Sequence, residues 1–155
     1  MRICDYLKSE CIKAELSGNT RNEILLELTG LIGKAFPEIN IDEAVNGLLK
    51  REKLETTGIG KGIAIPHSGI KSCNTIVPAF GLVKKDVDFR SLDNEPVKIV
   101  FLILYPAAQV SMQLRFLARV SRILRNKELV KSLQKCNTSD EILGVFENYE
   151  NRHFT

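Results

Sequence analysis

No stretch of this 155-residue chain is apolar for long enough to cross a membrane: the longest run, IVFLILY at residues 99 to 105, falls well short of the roughly 20 residues a spanning helix needs. The N-terminal MRICDYLKSEC also lacks the apolar region of a secretory signal, so we expect a cytoplasmic chain without membrane insertion. Neither charge dominates. With 22 basic and 19 acidic residues the formal net charge is +3, too balanced for nucleic-acid binding, and a protein or small-molecule partner is expected instead. The four cysteines, Cys4, Cys11, Cys73 and Cys136, form no CxxC pair and have no histidine nearby, which speaks for reduced structural thiols and against a zinc site. Histidine is scarce as well: there are two, His67 and His153. What is present, 44% apolar residues in 155, suits one domain spanning 1–155 that buries roughly two-thirds of its unfolded surface around a single core.

Three helix starts carry capping-box pairs, Thr20 with Glu23, Asn40 with Glu43 and Thr138 with Glu141, in which each side chain satisfies a free backbone donor at the other position. The first opens a helix with Ile24, Leu28, Leu31 and Ala35 on one face and Pro37 just past its end. The second carries Val45, Leu48 and Leu49 and runs out in the charged KREK of residues 50 to 53; the third buries Ile142, Leu143 and Phe146 before a polar tail. Short apolar runs between them suit strands: GIAI at 62 to 65, TIVPAFGLV at 75 to 83 and KIVFLIL at 98 to 104, the last apolar without alternation, as a strand buried on both faces would be. Pro78 asks for an edge position or a bulge. From Ser111 to Leu124 helical spacing returns, with Leu114, Leu117, Val120 and Leu124 read as inward and Arg115, Arg119 and Arg122 on another stripe. The expected fold is therefore α/β, a three-layer α/β/α sandwich around a central mixed sheet.

The segment TTGIGKGIAIPHSGI, ending at Ile70, concentrates the chemistry. Its glycines, among them Gly58 and Gly60, resemble a nucleotide loop, but such a loop follows a strand and opens a helix, and here the order is reversed. A Walker loop fails too, since Lys61 is not followed by Ser or Thr. Glycines do allow close backbone approach and clustered N–H groups that suit an anion such as a phosphate. Pro66 biases Ile65 toward an extended conformation, so the strand GIAI is expected to end there and present His67 at the rim of the sheet. A neutral imidazole with one nitrogen donating to a carbonyl keeps the other free for nucleophilic attack. No Ser-His-Asp or Cys-His arrangement competes with it.

REKLETTGIGKGIAIPHSGI, residues 51 to 70, resembles the active-site signature of the fructose/mannitol-type EIIA domains of the bacterial phosphoenolpyruvate-dependent phosphotransferase system, a group that includes the nitrogen-regulatory EIIA proteins. DVDFRSLDNEPVKIVFLIL, residues 86 to 104, and PAAQVSMQLRFLARVSRILR, from residue 106, look like two further blocks of that family. The resemblance implies that His67 accepts a phosphoryl group from the phosphocarrier HPr. In sugar-transporting members it would pass the group to an EIIB cysteine; in regulatory members its phosphorylation state would act on partner proteins. No cofactor and no metal is implied. The family's arginine falls on Arg51, whose fork suits phosphate oxygens, and Thr57, Ser68, Gly58 and Gly60 are the expected phosphoryl-binding groups. Many relatives carry a second histidine where this chain has Gln113, which can donate a hydrogen bond to a phosphoryl oxygen but cannot become cationic. His153, expected in a frayed tail, is a poor substitute. The lack of an EIIB cysteine loop or membrane segment within these residues favours the nitrogen-regulatory type. The alternative is a non-catalytic regulatory module of the same fold that docks a partner on Arg115, Arg119, Arg122 and Arg125. A homodimer stays open.

Overall fold

The sequence patterns become a six-stranded mixed sheet in the computed structural model, which describes residues 1 to 153. Its strands are β1 (Ile12–Lys13), β2 (Gly58–Gly60), β3 (Ile63–Ala64), β4 (His67–Ile70), β5 (Val77–Val87) and β6 (Val97–Pro106). They lie in the order β1-β5-β6-β3-β2, and β4 also pairs with β6. Long β5 runs antiparallel to β6, while β3 and β4 follow one another along the other side of β6, parallel to it. The unbroken apolar character of β6 has the expected cause. Val100, Leu102 and Leu104 join one core layer, and Ile99, Phe101 and Ile103 join the other.

The helices are α1 (Arg21–Ala35), α2 (Ile41–Leu54), α3 (Val110–Leu124), α4 (Lys127–Gln134) and α5 (Ser139–His153). Two of them, α1 and α2, cover one face, and the other three cover the opposite face, giving the three-layer α/β/α arrangement. The Thr20, Asn40 and Thr138 side chains each accept the backbone N–H three residues on, at 3.2, 3.0 and 3.1 Å. Glu23 and Glu141 reach back one residue past the cap, to the Asn19 and Asn137 N–H groups at 2.9 and 3.3 Å, and a larger departure is that of Glu43. Its carboxylate crosses instead to the Lys71 N–H and the Ser72 hydroxyl, both at 2.9 Å, tying the start of α2 to the loop after β4.

Pro78 sits in an inner strand, not at the outer edge. The N–H of its partner Ile103 turns away to the Pro66 carbonyl, so Pro78 and Ile103 form a pair without ladder bonds. The proline nitrogen therefore faces the other side of β5, where two-residue β1 reaches only Phe80 and Gly81. Leu114 corrects the sequence reading: it is 57% exposed, and the inward stripe of α3 is Gln113, Phe116, Val120, Ile123 and Leu124. Arg119 turns partly inward to Glu150 at 3.5 Å. That buried carboxylate also accepts the N–H groups of Ile3 at 2.7 Å and Cys4 at 3.0 Å, and Arg2 donates to Asn151 at 2.6 Å. His153 belongs to the last turn of α5 and stacks on Tyr149 with centroids 4.3 Å apart. All four cysteines are unpaired, and burial pushes the Cys11 and Cys73 thiols up to about 11. Among the described residues no helix is long and apolar enough to cross a membrane.

Candidate functional site

A joint in the sheet creates the setting of His67. β3 pairs with Ile99 and Val100, and β4 pairs with Ile103 through Pro106; Ile65 and Pro66 bridge the gap. Across that gap the Ile65 N–H donates to the Thr57 carbonyl at 3.0 Å, and the Ile103 N–H donates to the Pro66 carbonyl at 2.8 Å. The first strand ends before Pro66, as the sequence suggested, but the chain does not leave the sheet. It kinks and resumes, so His67 opens a new strand, held by β6 on one side. Alternation then splits two neighbours between the layers: His67 shares the face of Ile103, toward α3, and Ser68 shares the face of Leu104, toward α2.

The half-buried imidazole has its Nδ1 2.8 Å from the Ile65 carbonyl oxygen. A carbonyl only accepts, so Nδ1 carries the proton and Nε2 keeps its lone pair. Burial holds the His67 pKa below its usual 6.5; the Ile65 carbonyl opposes that, the Arg51 cation lowers it further and the Glu52 carboxylate raises it. At neutral pH the ring is an uncharged base with one fixed tautomer.

Both charges come from the last turn of α2, which packs on β4. Arg51 folds back to donate to the Glu55 carbonyl at 2.7 Å, satisfying one of the free carbonyls at its own helix end. Glu52 is 5% exposed. It accepts the Thr57 N–H at 3.3 Å and, through a short bond, the Thr57 hydroxyl, and it faces the Arg21 guanidinium at 3.5 Å. Thr57 is thus engaged with a carboxylate in this structure. Glu52 escaped the sequence reading inside KREK, although Ala44, Leu48 and Glu52 recur every fourth residue as one buried stripe.

Ser68 is buried against Gly47, where an added Cβ would lie 2.2 Å from the Ser68 Oγ. The glycine turn is likewise occupied. The Gly58 N–H donates to the Thr56 hydroxyl at 3.1 Å and the Lys61 N–H to Asp93 at 2.8 Å, while Gly60, at φ +92°, packs beside that same carboxylate. Gln113, buried in the early part of α3, follows directly from β6, and the Ala107 N–H ties that crossing to the Ile70 carbonyl at 2.9 Å. The start of α3 therefore stands at the carboxyl ends of β4 and β6, where ligands gather in α/β sheets. His153 is elsewhere: its helix packs near β1, at the far end of the strand order.

A family model described as "Phosphoenolpyruvate-dependent sugar phosphotransferase system, EIIA 2" matches residues 5–149. The chain belongs to this EIIA family. Among the relatives of this EIIA domain is a nitrogen regulatory protein of Bradyrhizobium diazoefficiens, 34% identical over 145 residues that span 94% of each chain. Its fold is similar to the crystal structure of nitrogen regulatory protein IIA-Ntr from Neisseria meningitidis, with a TM-score of 0.84 at 23% identity over 93% of this chain and 98% of that one. It is also similar to the enzyme IIA of mannitol from Escherichia coli in complex with phosphorylated IIB, with a TM-score of 0.76 at 19% identity over 92% of this chain and 97% of that one.

Proposed function

We propose that this EIIA domain is a phosphoryl carrier in which Nε2 of His67 takes the phosphoryl group from phosphorylated HPr. The observation that carries the reading is the Ile65 carbonyl on Nδ1, which fixes the one tautomer whose lone pair lies on Nε2. As the new N–P bond forms, the bond from phosphorus to the donor's histidine breaks, and the positive charge that develops on the ring is stabilised by the Nδ1–H···O=C bond. Arg51 leaves the Glu55 carbonyl to hold phosphoryl oxygens, and the Gln113 amide donates a further hydrogen bond without adding charge. Thr57, which holds Glu52, and Ser68, which seats β4 against α2, act on His67 by fixing its surroundings. The phosphoryl group then serves either an EIIB cysteine or the control of partner proteins, and the nitrogen-type relatives favour the regulatory role.

Intact-protein mass after incubation with phosphoenolpyruvate, enzyme I and HPr tests this directly. One acid-labile phosphoryl group, absent from a His67→Ala variant, is expected. No gain, with partners active on another EIIA, overturns the carrier reading. Rapid onward transfer to the cysteine of a mannitol or fructose EIIB would overturn the regulatory preference while leaving the carrier intact.

A further inference from the structure

At the other end of α3 from Gln113, a groove of about 640 Å³ opens between the β2–β3 turn and the corner where α3 passes into α4. Its floor is apolar. Leu124 and Val130 line it together with Ile59, a large side chain left 46% exposed. Its rim is cationic: Lys61, Arg125, Lys127 and Lys131 all line the groove, and no acidic residue does. Among the described residues none of these four side chains has a carboxylate within ion-pair distance. His67 is not part of this lining.

Two of these cations stand at positions that do not favour a lysine. Lys127 lies in the first turn of α4, where the helix dipole disfavours positive charge. Lys61 adopts φ +58°, the left-handed region that side chains rarely enter, between Gly60 at +92° and Gly62 at +79°. Asp93 holds this tip in place by accepting the N–H groups of Lys61 at 2.8 Å and Glu95 at 3.1 Å. Like charges converging on apolar surface repel one another unless an anion joins them, and the volume falls within the range of small-ligand pockets.

We propose that this groove is a second binding site of the domain, for a small anion with an apolar tail, of the class of alkyl phosphates and alkyl carboxylates. The tail lies on Ile59, Leu124 and Val130, and the head is shared among the four cations. A bare phosphate would leave the floor in water, and a neutral alcohol would leave the cations unpaired; each is therefore a weaker ligand.

The test is a ¹H–¹⁵N titration of the full chain with octyl phosphate below its micelle concentration, against octanol and inorganic phosphate. Saturable shifts at Lys61, Arg125 and Val130 are expected, with octyl phosphate binding at least about tenfold more tightly than either comparator. The Arg125→Ser/Lys131→Ser variant, altered only at exposed positions, is expected to keep its spectrum and bind about tenfold more weakly. Equal binding of octanol, undiminished binding by the variant, or shifts spread over Arg115 and Arg122 as strongly as over the groove would each overturn the proposal. Saturable shifts confined to the surroundings of His67 would overturn it as well.

Discussion

In the proposed transfer, protonation of His67 would remove the attacking lone pair, so the acidity of this imidazole would set a lower pH bound on the reaction. Burial, aided by Arg51, places its pKa below 6.5. Its NMR titration midpoint is accordingly expected below 6.5, with phosphorylation unchanged around pH 7 and falling only below that midpoint. A midpoint above 6.5 would contradict the geometry. The sign carries over to stability. The unfolded chain takes up the proton first, so the contribution of His67 is complete above about pH 6.5 and shrinks as pH falls toward the folded midpoint. The two neighbouring charges act in opposite directions, which gives a paired prediction: Arg51→Ala raises the His67 midpoint and Glu52→Gln lowers it. Shifts of the same sign would mean that these side chains do not act through their charge. Glu52→Gln also weakens the hold on Thr57 and leaves Arg21 without its carboxylate, at a cost of about 1–3 kcal/mol in urea unfolding.

Between elements, α2 and β4 pack tightly at Gly47 and Ser68. Gly47→Ala drives a methyl group to 2.2 Å from the Ser68 hydroxyl, so that side chain must give way, and a loss of about 1–3 kcal/mol is expected. Ser68→Ala removes the obstructing oxygen. The double variant is therefore expected to recover most of the loss and to gain from alanine's better helix propensity, a coupling that a double-mutant cycle in urea measures. Simple additivity would refute the clash. How much of this was legible in advance varies with the element. Helix starts were readable because Thr20, Asn40 and Thr138 act locally, within one turn. β6 was readable because burial on both faces leaves an unbroken apolar run. β4 was not, since HSGI owes its strand conformation to pairing with β6 and has no alternation of its own. α3 was found, but its inward face was misjudged. Counting leucines gave Leu114, whereas Phe116 and the amide of Gln113 take the buried stripe. At the site, the carbonyl contact of the His67 ring was anticipated, while Glu52 was hidden in a charged run because its burial depends on Arg21 and Thr57 from outside its helix.

For the molecule as a whole, the sheet separates two core layers, and the α3–α5 layer is organised by aromatic rings. Phe101 packs edge-on against Phe80 and Phe146, with centroids 6.0 Å apart in both pairs. Phe101→Ala is expected to cost about 3–5 kcal/mol of global stability, read from the denaturant midpoint. A much smaller loss would mean that the layer collapses around the cavity. The buried carboxylate of Glu150 has a different reach. By gripping the N–H groups of Ile3 and Cys4, with Arg2 on Asn151 beside it, it ties residues 2 to 4 to the closing turns of α5. Topologically the chain is then a nearly closed ring, and where the ring is cut matters little to the sheet. A circular permutant that joins residue 153 to residue 1 through a short Gly-Ser linker, and opens between the exposed Pro37 and Glu38, is expected to fold with the same circular dichroism and the same His67 titration. The same closeness of residues 2 and 151 would let the domain be spliced into a loop of a host protein, entering and leaving at one point.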